Sequence, residues 1–312
     1  MIALYKEVIE TFHSKSHYKW NPSHLKQWCD NIKWFSPNDL QQVIMALNAV
    51  ANIIFRNRLV TDEEKSEYNR LAQNYFKTDN DVYFIPKLRN DGVYLVPASH
   101  KEWYENTQKL INQCLTDDEN CFGESGIEVC AELAVLCPVI ALALNGGGAS
   151  CVGGAGAGRR AAARLAGGAV GARLSLLDQA TLFHASYKNA LTLASEGTRT
   201  LIVLCEPVVT PDLLACVEAY LSATSIHAIP PSIVPSFGPA QQTEQTFINM
   251  KKNIGIMICL DKDQDNLTEL LDSYPLLYNN NFLCWVSHWS DETLKGMPAQ
   301  LIQRYILLLH TV

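Results

Sequence analysis

The chain has 312 residues, of which 48% are hydrophobic and 18% are charged, and its formal net charge is −7. This composition predicts a folded protein with one large domain or two ordinary ones, and it excludes a disordered chain. The acidic balance argues against a general nucleic-acid-binding surface, although it is compatible with a local basic patch.

The first part of the chain, residues 1–78, has the pattern of a helical domain. Apolar residues recur at spacings of three and four in two segments, 39–60 and 63–76. The opening stretch MIALYKEVIETF is amphipathic and contains acidic residues early, which is not typical of a signal peptide.

Capping residues mark where the two helices of this region should begin. Asn38 or Asp39 fits the N-cap of the first helix. Thr61 fits the N-cap of the second, and Glu64, three residues later, completes the pattern of a capping box.

The middle of the chain is mixed in character. Residues 79–126 are rich in turn formers, which is typical of a linker between domains. The longest apolar run, LAVLCPVIALAL at 133–144, contains a proline and is too short to span a bilayer. Residues 145–172 contain ten glycines and nine alanines and are low in complexity. The segment ALNGGGASCV at 143–152 is a poor strand candidate.

Two apolar segments after this stretch predict buried parallel strands. They are TLIVLC at 200–205 and IGIMICL at 254–260. A helical pattern at 211–223 lies between them, and alternation of strand, loop and helix favours an α/β layer fold. The sequence therefore predicts a helical domain, then an α/β domain, then a short helical tail at 291–310.

The ten cysteines do not form a metal-binding pattern. Cys114, Cys121, Cys130 and Cys137 are spaced 7, 9 and 7 residues apart, and no pair has the C-x-x-C spacing of a zinc site. We expect reduced, mostly buried thiols in a cytosolic protein, and no metal site.

The segment GGAGAGRR at 153–160 carries the main functional signal. Gly153 and Gly158 have the spacing of a phosphate-binding loop, G-x-x-x-x-G-K-[ST], and Gly156 lies between them. Such a loop binds phosphate through successive backbone N–H groups and a helix N-terminus. Arg159 and Arg160 stand where a lysine and a magnesium-ligating hydroxyl belong, so bound ATP or ADP is compatible with the loop but efficient hydrolysis is not expected.

Hydrolysis would also need acidic residues after an apolar strand, one for the metal and one to activate water. Glu206 follows the first predicted strand and fits one of these acids, or else it is a solvated residue at a strand end. Pro207 occupies the next position and carries no acid, and Asp261 follows the second predicted strand. The eight histidines are scattered and none has the context of a nucleophile–base pair, so no catalytic residue is assigned.

A second interpretation uses the same glycines. Gly156, Gly158 and Ala161 match the dinucleotide fingerprint G-x-G-x-x-[GA], and Asp178 lies 22 residues beyond Gly156. This pattern would indicate an oxidoreductase that binds an NAD-type cofactor. A match is easily met by chance in a segment so rich in glycine and alanine.

The C-terminal part resembles a known family. The stretch SYPLLYNNNFLCWVSHWSDETLKGMPAQLI at 273–302 is similar to the end of the fourth AAA+ module of dynein heavy chains, and IGIMICLD at 254–261 looks like the sensor-1 strand before it. The positions that carry the resemblance are Pro275, Leu276, Trp285, Trp289 and Ser290.

The N-terminal part resembles the same family. HYKWNPSHLKQW at 17–28 is similar to the lid of the third AAA+ module, with Pro22 and Trp28 in the expected places. The resemblance implies an AAA+ P-loop-like parallel sheet with helices on both faces, preceded by an α-helical lid. The implied domains are a lid with its linker at 1–110, a degenerate AAA+ module at 111–288, and the start of a following lid at 289–312.

Several positions depart from the family pattern. Ser23 and Asn280 stand where relatives place a sensor arginine and an arginine finger, and Asp261 stands where a sensor asparagine is common. With Arg159, Arg160 and Pro207, these departures imply a structural or regulatory module that does not hydrolyse ATP. The doubled arginine is like that of the retrograde intraflagellar-transport dynein class.

The resemblance also implies where such a segment works. Its partners would be the other AAA+ modules of a dynein-like ring and other dynein subunits, with microtubules reached only through regions outside this chain. It would act in the cytoplasm, on the cytoskeleton and in the cilium or flagellum. Neither nucleic acid nor a membrane span is expected.

Overall fold

The computed structural model describes the whole chain except residues 14–17, 19, 78–81, 117–128, 155, 178–182, 206–208, 235–242, 276–278, 280, 287–288, 292, 297 and 299–312. The α-helices are α1 Ile2–Phe12, α2 Ser23–Ile32, α3 Leu40–Ile54, α4 Asp62–Phe76, α5 His100–Thr116, α6 Ala131–Ala143, α7 Arg159–Ala169, α8 Phe183–Ser195, α9 Pro211–Ser222, α10 Glu244–Asn253 and α11 Leu267–Ser273. The strands are β1 Tyr83–Arg89, β2 Gly92–Ala98, β3 Gly148–Gly153, β4 Arg173–Leu177, β5 Thr200–Leu204, β6 Ile254–Asp261 and β7 Phe282–Val286.

The predicted helical domain at the N-terminus is confirmed as α1 to α4, with the predicted caps. The Asp39 side chain accepts a hydrogen bond from the Gln42 N–H, so Asp39 rather than Asn38 is the cap of α3. Thr61 and Glu64 form a complete capping box at the start of α4. Local hydrogen bonding sets these helix starts, which is why the sequence identified them.

Trp28 of α2 lies at the centre of this helical domain. Its side chain is fully buried, its indole N–H donates to the Leu47 carbonyl at 2.9 Å, and its ring meets the Phe55 ring edge-on at 5.3 Å. Trp20 packs on Phe55 from another side, with ring centroids 6.0 Å apart. The aromatic residues that carried the N-terminal resemblance are therefore core residues of the helical domain.

The region predicted to be a linker contains a folded unit instead. β1 and β2 form an antiparallel hairpin, and α5 follows it directly. The hairpin packs against α6 and α7, with Val93 and Leu95 fully buried. The turn residues that suggested a linker, Asn90 and Asp91, form the hairpin turn, and tertiary packing supplies the order that local propensity does not.

The second part of the chain is built on a five-stranded parallel sheet with the order β4-β5-β6-β3-β7. The two predicted strands are confirmed as β5 and β6. β4 is not predicted from the sequence, and the prediction of a poor strand at 143–152 is wrong, because β3 forms there. Every residue of β3 is buried, and the carbonyl of Val286 and the amide of Asn281 lie directly against Gly153 and Gly148, so small residues are required there.

Helices cover both faces of the sheet, as expected for an AAA+-like α/β fold. On one face, α6 and α7 pack with the hairpin and α5, and their apolar core is continuous with that of α1 to α4. On the other face, α8, α9, α10 and α11 enclose a second core around β5 and β6. The sheet is thus buried on both sides, which explains the near-continuous apolar runs of its central strands.

The apolar run at 133–144 belongs to α6, whose side chains are mostly buried around its whole circumference. Pro138 lies inside this helix. Among the described residues, no helix is both long and apolar enough to cross a bilayer.

The N-terminal helical domain packs against β7, the outermost strand on one side of the sheet. Lys65 donates to the Trp285 carbonyl at 3.2 Å, and Arg58 donates to the Asn281 carbonyl at 3.4 Å. An uncovered strand edge would leave such carbonyls open to pairing with another chain. Because both cations bond to backbone oxygens, this contact joins the helical domain to the sheet with little dependence on the β7 side chains.

Glu132, near the start of α6, anchors the segment that follows β7. Its carboxylate accepts hydrogen bonds from the Ser290 N–H at 2.6 Å and the Thr293 hydroxyl at 2.8 Å. Ser290 in turn accepts from the Thr293 N–H, as the N-cap of a helix would. Burial alone would raise the pKa of Glu132, but these hydrogen bonds outweigh it and hold the pKa below its ordinary value.

We expect acid to release this segment. A carboxyl group whose pKa is depressed by folding stabilises the folded state above its unfolded pKa, about 4.3, and loses that contribution as pH falls through the lower folded value. Hydrogen exchange of the peptide that spans 289–296 should therefore accelerate, beyond its intrinsic pH dependence, when pH falls below about 4. In Glu132→Gln the exchange should be faster at pH 7 and should show no such acid step; an acid step that persists in this variant would contradict the assignment.

Candidate functional site

The glycine loop connects β3 to α7 at the carboxyl edge of the sheet, and its backbone has the form of a phosphate cradle. Gly156 and Gly158 have φ values of +80° and +76°, which favour glycine, and α7 begins at Arg159. An added Cβ at either glycine would meet nothing within 4 Å, so both face open space. The predicted helix after the loop is confirmed, and its N-terminus is directed at this space.

Gly153, the first fixed glycine, has a different requirement. A Cβ there would lie 2.5 Å from the Val286 carbonyl and 3.1 Å from the Ala157 Cβ. Gly153 is needed because β7 and the loop approach its backbone closely. Close packing thus explains the glycine at 153, whereas the positive φ explains the glycine at 158.

The Arg159 side chain turns inward, onto the protein's own backbone. Its guanidinium donates to the Leu260 carbonyl and, at 3.2 Å, to the Gly154 carbonyl within the loop. Arg159 therefore joins the loop to the end of β6. A second bond, from the Lys262 N–H to the Gly153 carbonyl at 3.3 Å, joins the same two segments. Arg160 is exposed.

Asp261, one of the two predicted acids, lies beside the glycine loop. Asp261 is paired in register with Gly153, and its carboxylate accepts the Asp263 N–H at 3.1 Å. Glu206 and Pro207 lie outside the described residues, directly after Cys205. Ligands of open α/β sheets bind at the carboxyl ends of the strands, which is where this group lies.

The strand order rules against the dinucleotide interpretation. In the dinucleotide-binding fold, the strand that precedes the glycine loop lies beside the next strand in the chain. Here β3 lies between β6 and β7, and two strands separate it from β4. Gly156 and Gly158 thus belong to a loop in a different topology. Asp178, the predicted ribose-binding acid, lies outside the described residues.

Four cysteines form a row across the sheet beneath the loop. Cys151 of β3 is in register with Cys259 of β6 and Cys284 of β7, and Cys205 follows β5. All four are buried in the same core. The hydrogen bond with Cys205 and burial raise the pKa of Cys259, and burial raises the pKa of Cys151, so these thiols stay protonated.

The sequence carries a signal for this row, because Cys151, Cys259 and Cys284 each stand third from the end of their strand and Cys205 directly follows β5. Among the cysteines whose side chains are described, six are buried, which agrees with the expected packing role. In the described part of the chain, no three metal-ligating side chains lie close enough to hold an ion.

Ser23, one of the positions that depart from the family pattern, contacts the turn before β7. Ser23, at the start of α2, donates its hydroxyl to the Asn279 carbonyl at 3.3 Å, and Asn21 donates its amide to the Asn279 side chain at 2.6 Å. Asn280, the position of an arginine finger in some relatives, is outside the described residues. The described contacts between α2 and the turn before β7 are made by neutral polar groups.

Comparison with known proteins agrees with the N-terminal and C-terminal resemblances. Residues 1–65 match the family model described as dynein heavy chain, ATPase lid domain. The chain is also 21% identical over 351 aligned positions to cytoplasmic dynein 2 heavy chain 1 of Tripneustes gratilla, an alignment that covers 98% of this chain and 8% of the relative. Both matches are to dynein heavy chains, and together they support a segment of that kind. It spans less than a tenth of the length of the relative it matches.

The lid match covers α1 to α3 and the first turn of α4. It therefore includes Trp28, the capping box, and the cations that cover the β7 edge. The glycine loop lies outside the matched lid, on the α/β part. What Arg159 does could not be predicted from the sequence, since both of its acceptors are backbone carbonyls and leave no signal in side-chain identity.

Proposed function

We propose that this dynein heavy chain segment contributes a structural AAA+ module that does not hydrolyse ATP. The observation that carries the proposal is the direction of Arg159, whose guanidinium is bonded to the Gly154 and Leu260 carbonyls. In a working phosphate loop, the cation at this position contacts the outer phosphates of the nucleotide. Here it supports the loop from within.

Two further residues favour a module without hydrolysis. Arg160 stands in place of the hydroxyl that would ligate magnesium, and its charge opposes that metal. Pro207 stands in place of the acid that would activate water. Loss of the metal ligand and of the general base would each lower turnover strongly, and together they leave no group to perform the chemistry.

We propose the following organisation for the segment. The lid of a preceding module and its connection occupy 1–110, the degenerate module 111–288, and the start of the next lid 289–312. Its partners are the neighbouring AAA+ modules of a motor ring and other dynein subunits, with microtubules contacted by other regions. The name of the relative supports a cytoplasmic motor. A role in cilia and intraflagellar transport rests on the doubled arginine, which resembles that of the retrograde intraflagellar-transport dynein class.

The proposal predicts that the purified chain has no ATPase activity. Phosphate release with Mg²⁺ and ATP should equal that of Gly158→Val, in which a branched side chain at φ +76° disrupts the loop. Turnover in the native chain that disappears in Gly158→Val would overturn the proposal. Activity that is equal in both would identify a contaminating ATPase.

A second candidate function is nucleotide binding without turnover. The geometry of Gly156 and Gly158, which face open space beside the N-terminus of α7, favours it. Nucleotide at 100 times its Kd should stabilise the chain by about 2.7 kcal/mol, which a thermal melt with ATP or ADP would detect. A rise in melting temperature with adenine nucleotides but not with NAD would support this candidate. No rise with any nucleotide would contradict it and leave the structural role as the one proposed function.

A further inference from the structure

A cleft of about 360 Å³ lies near the amino ends of the central strands, whereas the glycine loop lies at their carboxyl ends. Its walls come from separate parts of the chain: the segment after α2, the turn of the hairpin, the residues before β3, and α10. The lining residues are Trp34, Asn145, Gly146, Phe247, Lys251 and Lys252, together with Asp91 and Ile248 at the rim.

The walls of this cleft are held by specific contacts. The Asn145 side chain pairs with the Val93 backbone, accepting its N–H at 2.7 Å and donating to its carbonyl at 2.9 Å. Gly92 leaves room for the Trp34 ring, which an added Cβ would strike at 2.5 Å. The Lys251 carbonyl lies directly against Gly146. These contacts fix the walls of the cleft in place.

The cleft combines positive charge with apolar surface. Lys33 lies over the Trp34 ring at 4.7 Å, and Arg89 of the hairpin lies over the Tyr94 ring, which in turn meets Trp34 edge-on at 5.4 Å. Lys252 is exposed and donates to the Asn90 carbonyl at 3.2 Å. These cations come from three different elements, so they present charge along the rim.

Lys251 of α10 also lines the cleft, whereas the acceptors of its ammonium lie outside the lining. Its ammonium donates to the Tyr220 and Leu221 carbonyls and lies over the Tyr220 ring at 4.4 Å. No carboxylate of the described residues lies within ion-pair distance of it, and burial lowers its pKa to about 8.

One acid and one exposed apolar side chain complete the rim. Asp91 is the one acidic residue among the described lining residues, and its carboxylate accepts the Tyr94 hydroxyl. The Ile248 side chain is 47% exposed. The lining has two lysines and this one acid, and Lys33 and Arg89 flank it, whereas the whole chain has a net charge of −7. Such local contrast favours and orients an oppositely charged partner.

We propose that this cleft is a docking site for an acidic segment of a partner protein, with one bulky apolar side chain inserted beside Trp34 and Ile248. Charge complementarity identifies the occupant, because the cations are spread over three elements and fit an extended chain of carboxylates. The half-buried Trp34 ring and Phe247 provide an apolar wall for the anchor. Salt should weaken the complex by slowing association.

The test uses three fluorescein-labelled peptides and anisotropy: EDEDFEDED, EDEDGEDED without the anchor, and the basic KRKRFKRKR. We expect EDEDFEDED to bind the full chain with a Kd below about 1 mM, and both other peptides to bind at least about tenfold more weakly. Lys252→Glu and Ile248→Ser should each weaken binding about tenfold.

Matched surface variants provide the controls. Lys109→Glu on α5 makes the same charge change, and Leu40→Ser at the start of α3 makes a similar apolar-to-polar change, both on exposed side chains. Neither should alter binding. Lys252→Gln keeps the test valid if the charge reversal disturbs folding. The proposal is overturned if EDEDFEDED does not bind, if EDEDGEDED binds equally well, or if Lys109→Glu weakens binding as much as Lys252→Glu.

Discussion

Substitution of Gly146 by alanine should destabilise the chain by about 3–5 kcal/mol. Gly146 has φ +93°, a conformation that side-chain-bearing residues rarely adopt. In addition, an added Cβ would be driven into the Lys251 carbonyl, a backbone atom in the last turn of α10. Backbone strain and a clash that no side-chain rotation relieves act at the same position. Chemical denaturation followed by circular dichroism measures the loss.

Gly197→Ala separates the two causes. Gly197 has nearly the same φ, +94°, but an added Cβ there meets nothing within 4 Å. Backbone strain alone should lower the free energy of unfolding of this variant, by about 1–2 kcal/mol. An equal loss of stability in the two variants would show that Gly146 and Lys251 are not in tight contact. The cleft wall that these two residues form would then not be fixed in place.

The double variant Arg159→Lys and Arg160→Thr should bind adenine nucleotide at least about tenfold more tightly than the native chain. The lysine cannot make the two-point contact that the guanidinium makes with the Gly154 and Leu260 carbonyls, so its ammonium is released toward the cradle. The threonine hydroxyl supplies a magnesium ligand, and binding should therefore become dependent on Mg²⁺. Isothermal titration with ATP, with and without Mg²⁺, measures both effects.

Hydrolysis should still be absent in the double variant, because Pro207 is unchanged. Arg173→Lys, on an exposed residue at the start of β4, is the control for an arginine-to-lysine change and should not alter binding. A folded double variant that binds nucleotide no better than the native chain would show that the loop is not a phosphate cradle. Tighter binding with restored hydrolysis would show instead that another residue replaces the missing acid.

Local sequence determined much of the secondary structure. The capping residues Asp39 and Thr61 set the starts of α3 and α4, and the apolar runs at 200–205 and 254–260 set β5 and β6. These elements are specified by hydrogen bonds and periodicities that span a few residues. The lid could be recognised for a similar reason, because its aromatic residues and prolines are close in the sequence.

Only the tertiary structure decided the strand β3, the hairpin and the direction of Arg159. β3 has weak strand propensity because its glycines and alanines are chosen by what lies against them, namely Asn281 and Val286 from distant positions. Arg159 bonds to carbonyls that every sequence possesses, so its partners carry no sequence signal. The cationic cleft likewise joins residues from four separate segments. The sequence alone thus determined the local elements and the resemblance to dynein heavy chains, whereas contacts between distant residues decided that the glycine loop is supported from within by Arg159.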